Sequence, residues 1–173
     1  IVPILLAGSM SVNAIVKSQN PVWNFFLFPI GPLAGIIYMI AALAEINRSP
    51  FDMPEAEQEL TAGYHVEYSG MKFALFMMTE YIKLIVISSI AAALFFGGYN
   101  GLWTDRWPWL GPVWMFAKVF VLMFTIIWVR ATLPRIRYDR LMALGWKILL
   151  PLSLLNVFLT AVAVILFPHL RGG

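Results

Sequence analysis

At 173 residues, with 61% hydrophobic and only 12% charged side chains and a mean hydropathy of +0.80, the chain is far too apolar for an ordinary soluble domain. It contains no cysteine, which excludes disulfides, thiolate catalysis, iron–sulfur ligation and cysteine-based zinc sites within it. A net charge of +3 and a pI of 9.3 would suggest nucleic acid in a soluble protein, but in so apolar a chain basic residues report membrane topology.

Crossing ~30 Å of hydrocarbon at ~1.5 Å per residue takes about 20 apolar residues. The first stretch, residues 1–16, opens on Ile1 already inside apolar sequence, without the basic leader and cleavage site of a signal peptide. It is expected to be an incomplete membrane helix in the C-terminal part of a longer protein. Complete spans are expected over residues 25–45, 73–96, 113–133 and 144–167. The fold class is therefore all-α, a polytopic transmembrane bundle of four complete helices and a partial one. Residues 1–173 form a single membrane domain, since no internal repeat or low-complexity linker divides them.

Two connections carry most of the charge. Residues 47–72 hold five of the nine carboxylates, and residues 134–147 hold Arg135, Arg137, Arg140 and Lys147, with Arg130 just before them. Short basic loops stay on the cytoplasmic side, which places both connections inside. Arg48, Lys72, Arg135, Arg137, Arg140 and Lys147 then lie inside, against Lys17, Arg106 and Arg171 outside. The connection "GGYNGLWTDRWPWLGPVW" lies outside, its four Trp and one Tyr suited to the headgroup level. Its glycines are loop punctuation, not a phosphate-binding fingerprint.

Within the acidic connection, Asp52 followed three residues later by Glu55 has capping-box spacing, with Pro54 fitting the first turn. "PEAEQEL" then reads as a short helix with Glu55 and Glu59 on one face, a like-charge pair, ending near Gly63. A solvated surface loop is the plainer reading. Against it, Phe51, Leu60, Tyr64 and Tyr68 interleave with the charges, and carboxylates continue into both flanking helices at Glu45 and Glu80.

Lys83 lies on the face of Glu80, and Lys118 is also inside a span. A charge at mid-membrane costs at least ~2.5 kcal/mol, so these groups must face protein, water or one another. Glu80 and Lys83 as a neutralising pair, and snorkelling of Lys83 and Lys118, are the structural readings. The series Glu45, Glu55, Glu57, Glu59, Glu67 and Glu80 instead suggests a proton or ion pathway, because clustered, partly buried carboxylates bind protons more tightly.

His65 and Glu67 lack further ligands nearby, so no metal site is expected. The stripe Phe73, Phe76, Met77, Met78 and Tyr81 reads as helix packing or lipid contact. No P-loop or nucleophile elbow is present. Arg130, Arg135 and Arg137 suit orientation, lipid headgroups or an acidic partner surface.

The run "AEINRSPFDMPEAEQELTAGYHVEYSGMKFALFMMTEY" resembles the signature loop and following helix of the H subunit of respiratory NADH:quinone oxidoreductase (complex I), which is subunit 1 in mitochondria. The run "WVRATLPRIRYDRLMALGWKILLPLSLLN" is similar to the end of the same subunit. The resemblance implies a subunit of eight membrane helices, the heel between the membrane and hydrophilic arms, in the cytoplasmic membrane. It implies a wall of the chamber where quinone, the substrate, receives electrons from an iron–sulfur cluster on a neighbour, with NADH and FMN also on partner subunits. On this resemblance the glutamate path falls on Glu45, Glu55, Glu57, Glu67 and Glu80, and the chamber border on Arg48, Phe51 and Asp52. Lys83, Arg130, Arg135 and Arg137 are supporting charges. Membrane-bound hydrogenase subunits are the nearest rival, and a purely structural docking heel is the alternative role. An independent transporter would show paired broken helices in two related halves, which this sequence lacks.

Overall fold

A computed structural model describes residues 1–20, 22–46, 50–51, 70–101, 104, 106–107, 109–134 and 136–166. Every regular element among them is helical. The chain opens with α1 (Val2–Ala7), which has Pro3 in its first turn and stops at Gly8, whose φ of 65° suits a residue without Cβ. A second short helix, α2 (Val12–Ser18), follows. The first apolar stretch is thus broken into helices of six and seven residues, instead of one partial span, because the left-handed turn at Gly8 ends the first.

A 3-10 turn (Asn24–Phe26) leads into α3 (Ile30–Glu45), whose 16 residues rise about 24 Å. The expected span from residue 25 is therefore helical only from Ile30. Three further helices, α4 (Met71–Phe95), α5 (Leu110–Thr132) and α6 (Tyr138–Leu166), are long and apolar enough to cross a membrane. The last begins six residues before the expected start, so much of the basic connection is helical. It contains a π-helical segment, Leu144–Leu149. That wider register sits immediately before Pro151, which lacks the N–H that would bond to the Lys147 carbonyl.

Small residues let these helices approach. On α4, Ser88, Ala91 and Ala92 are buried, and the two alanines pack against Val119 and Leu122 of α5. Tyr38 of α3 bridges to α4, its ring 5.5 Å from that of Phe95 and its hydroxyl donating to the Ile87 carbonyl at 3.2 Å. Val2, Leu6, Ile30, Ala34 and Phe95 form a second core, against which Val157 and Ala163 of α6 pack. Buried Asn156 of α6 donates to the Ile30 carbonyl at 3.3 Å.

The bulky residues point the other way. Phe116, Phe120, Phe124 and Trp128 repeat every fourth residue along α5 and are all exposed, as are Tyr81, Ile82, Ile85 and Val86 on α4. In water such a surface would mark an interface. On membrane-spanning helices it is the face that meets lipid or other apolar helices.

Two glycines of the spans contrast in what a side chain would meet. A Cβ on Gly31 would lie 1.8 Å from the Asn24 carbonyl oxygen, whereas one on Gly145 meets nothing within 4 Å. Gly31→Ala is expected to displace the 3-10 turn and lower stability by about 1–3 kcal/mol. Gly145→Ala is expected to be neutral or mildly stabilising. Unfolding of the two variants in detergent micelles checks the contrast, and equal effects would contradict the packing of the turn on α3.

Candidate functional site

The candidate site is an apolar cavity of about 700 Å³ between α3 and α5, with a polar cluster at one end and the start of the acidic stretch at the other. Its wall on α5 runs from Trp114 to Val129, a rise of about 22 Å, and continues onto Leu133 and Ile136. On α3 it is walled by Gly35, Ile36, Met39, Ile40 and Leu43. Gly35 approaches the Phe25 ring, where a Cβ would sit 3.0 Å from a ring carbon.

At one end of this cavity the C-terminus of α4 has to satisfy its last carbonyls. Helix ends leave up to four carbonyls unpaired, and those buried in the protein need protein donors. The Ala92 carbonyl accepts from the Phe96 and Gly98 N–H groups at 3.1 and 2.9 Å. Gln19, fully buried beyond α2, donates its amide to the Ala93 and Leu94 carbonyls at 2.9 and 3.2 Å. Its oxygen accepts from the Gly97 N–H at 2.8 Å and the Asn24 N–H at 3.3 Å. Asn24 adds a bond to the Leu94 carbonyl at 3.1 Å.

Lys118 completes the cluster from α5. Its Nζ donates to the carbonyls of Phe96 at 2.6 Å, Gly98 at 2.9 Å and Asn100, and lies 4.4 Å from the centroid of the Trp23 ring. An ammonium has three protons, and three carbonyls take them. A cation at the C-terminal end of a helix also meets the negative end of its dipole. The side chain is 9% exposed, so it does not snorkel to a surface but caps a neighbouring helix. Asn100 then donates to the Val16 carbonyl at 2.7 Å, tying α2 to the same knot.

At the other end, Phe51 is 6% exposed and packs with Leu43 of α3 and Ile126 of α5. The Ile136 N–H donates to the Pro50 carbonyl at 3.0 Å, which joins the start of the acidic stretch to the basic connection. Phe51, Pro50, Leu133 and Ile136 line this end of the cavity. Glu45, at the last turn of α3, is exposed. Glu80, in the first half of α4, is half-buried and has an interaction partner. Lys83, Arg130 and Arg137 are exposed, and Arg137 forms a salt bridge with Asp139 at 3.2 Å.

Of the residues singled out from sequence, Arg48, Asp52, Glu55, Glu57, Glu67 and Arg135 lie outside the described residues, as do Glu59 and His65. The structure brings Phe51 to the cavity and places Lys118 at its far end. Sequence reasoning did not find Gln19, Asn24 or Asn156. Asn24 and Asn156 are lone polar residues among apolar ones, and Gln19 lies in the polar run Lys17–Asn20, so none leaves a distinctive signal.

Fold and site together define an α-helical membrane protein whose spans are held by buried side chain-to-carbonyl bonds around an apolar cavity. The profile of the NADH dehydrogenase family matches residues 1–161, and the chain belongs to this family. It is 48% identical over 165 residues to the NADH-quinone oxidoreductase H subunit of Geobacillus sp. (strain WCH70), covering 95% of this chain and 48% of that protein. It is 49% identical over 169 residues to the H subunit of the same enzyme from Dehalococcoides mccartyi, covering 97% of this chain and 45% of that one. Against the Protochlamydia amoebophila counterpart, also an H subunit by name, it is 50% identical over 158 residues, covering 91% and 46%. The chain thus spans about half the length of the curated relatives it matches.

Removing the Lys118 ammonium while keeping a similar length leaves three buried carbonyls without that donor. Lys118→Met is expected to lose about 2–3 kcal/mol of stability, read as a lower unfolding midpoint in micelles. Lys83→Met, at an exposed position, is the control, and equal stability of the two variants would contradict the capping role.

Proposed function

We propose that this chain is part of a membrane subunit of NADH:quinone oxidoreductase that borders the quinone chamber and couples quinone reduction to proton translocation. The observation that carries the reading is the anchoring of the acidic stretch at its first residues. Phe51 is buried between α3 and α5, and Pro50 is hydrogen-bonded to Ile136. The stretch therefore leaves the helical bundle from a fixed point and returns to it at α4, with Glu45 just before it and Glu80 beyond it. The names of the relatives agree with this reading, and so does the motif that runs from Ala44 to Tyr81.

In this reading Arg48, Phe51 and Asp52 border the chamber, and Glu45, Glu55, Glu57, Glu67 and Glu80 carry or relay protons. Lys83, Arg130, Arg135 and Arg137 set the local field. The chain has no cysteine to ligate a cluster, and in this reading electrons reach quinone from an iron–sulfur cluster on a hydrophilic-arm partner, with NADH and FMN on partners too. Quinone reduction takes up protons and changes the charge at the chamber. That change shifts the proton affinity of nearby carboxylates and the arrangement of the stretch that bears them. The acidic and basic connections face the cytoplasm, and the protein sits in the cytoplasmic membrane beside the other membrane subunits.

Glu80→Gln keeps the size of the side chain but removes its charge. It is expected to leave assembly intact while lowering the protons translocated per electron at least several-fold. Proton uptake and quinone reduction measured together in reconstituted vesicles check this. A normal ratio would refute the coupling role of Glu80. A second reading, a docking heel, is favoured by the exposure of Arg130, Arg137 and Arg140. It is distinguished by loss of assembly on charge neutralisation, with normal pumping in whatever complex forms.

A further inference from the structure

We propose that the turn after α4 is a preformed site for a primary ammonium, which Lys118 occupies as a tethered ligand, and that the same site binds a free alkylammonium once the tether is removed. The carbonyl oxygens of Phe96, Gly98 and Asn100 meet at the Lys118 Nζ, and the Trp23 ring closes a further side with its centroid 4.4 Å away. The three acceptors come from alternate residues of one short stretch. A single turn of backbone thus supplies every acceptor that the ammonium needs.

The turn is held in shape by bonds that do not involve the lysine. Gly97 and Gly98 are both left-handed, with φ of 71° and 51°, and swing the chain sharply round just past the helix. The Gly98 N–H donates to the Ala92 carbonyl at 2.9 Å, and the Asn100 N–H to the Gly97 carbonyl at 2.8 Å. The Gly97 N–H donates to the Gln19 side-chain oxygen at 2.8 Å, and the Asn100 side-chain amide to the Val16 carbonyl at 2.7 Å. A Cβ on Gly98 would meet a Val16 methyl at 2.9 Å, so the turn is also packed tightly on α2. Removing the ammonium therefore leaves the three oxygens converging on the same point.

The chemistry of that point selects its occupant. Three acceptors match the three N–H donors of a primary ammonium. Its fourth substituent, the alkyl stem, belongs to the lining of the apolar cavity, where Lys118 takes part in the wall. The aromatic face of Trp23 favours a cation over a neutral donor. An alkali cation needs rings of oxygens to replace its hydration shell, and three carbonyls beside an indole fall short of that. A quaternary ammonium has the charge but no N–H to give. The inference concerns this turn alone and is independent of the glutamate series and of whatever covers the cavity.

Lys118→Ala removes the atoms of propylammonium, so propylammonium chloride is the probe, added to the full-length subunit in micelles. The variant is expected to unfold at a lower midpoint than the wild type. Propylammonium is expected to recover about half of that difference or more, rising with the logarithm of its concentration as binding to the folded state requires. The wild type, whose site is filled, is expected not to respond. Potassium and tetramethylammonium chlorides at the same ionic strength are expected to recover nothing. If Lys118→Ala does not fold, Lys118→Ser with ethylammonium makes the same comparison. No response to the amine, an equal response in the wild type, or equal recovery by potassium or tetramethylammonium would overturn the proposal. So would failure of both variants to fold with amine present, since a preformed site holds its shape without the lysine.

Discussion

Backbone carbonyls at the end of α4 have to be satisfied where water cannot reach them, and much of the described structure follows from how that is done. Gln19 arrives from beyond α2, Asn24 from the 3-10 turn and Lys118 from α5, and together they take the carbonyls of Ala93, Leu94, Phe96, Gly98 and Asn100. Each donor fixes its own element against α4. The short helix α1 is held by packing of Val2 and Leu6 against Ile30 and Phe95, and α2 holds its place through these bonds. So does the approach of α5, whose polar residue at this depth would otherwise be a costly charge in hydrocarbon.

The opposite end is organised by packing. Phe51 fills the gap between Leu43 and Ile126, and one backbone bond from Ile136 to Pro50 joins the two charged connections. The structure is thus tight at both ends and open between them, where small or flexible residues of α3 face the α5 wall across the cavity. A rearrangement of the acidic stretch would bear first on Phe51 and through it on α3 and α5. The hydrogen-bonded knot at Lys118, about 12 Å along α5 from Ile126, would resist it.

Much of this was legible in the residues. Length and hydropathy predict two of the spans, 73–96 and 113–133, within three residues at each end, since an apolar run long enough to cross the bilayer has to satisfy its backbone within a helix. The quoted motifs carried the family, and the Ala44–Tyr81 run pointed to Phe51 as a site residue, which the structure places at the cavity. Less was legible at residues 1–16, where hydropathy reads one helix and Gly8 breaks it in two. The start of α6 was also missed. Arg137, Asp139 and Arg140 look like a loop by charge, yet helical hydrogen bonding continues through them.

The sequence by itself determined that this is a helical membrane protein of the NADH dehydrogenase family with its charges gathered in two connections, because composition and motif need no partners to be read. Tertiary structure decided what the lone polar residues do. Whether Lys118 snorkels, pairs with a carboxylate or caps a helix depends on which acceptors lie within 3 Å of its nitrogen, and those belong to residues 96–100 at the end of another helix. It also decided that α3 and α5 leave a cavity, since a void is a property of how two surfaces fail to meet and neither surface alone encodes it.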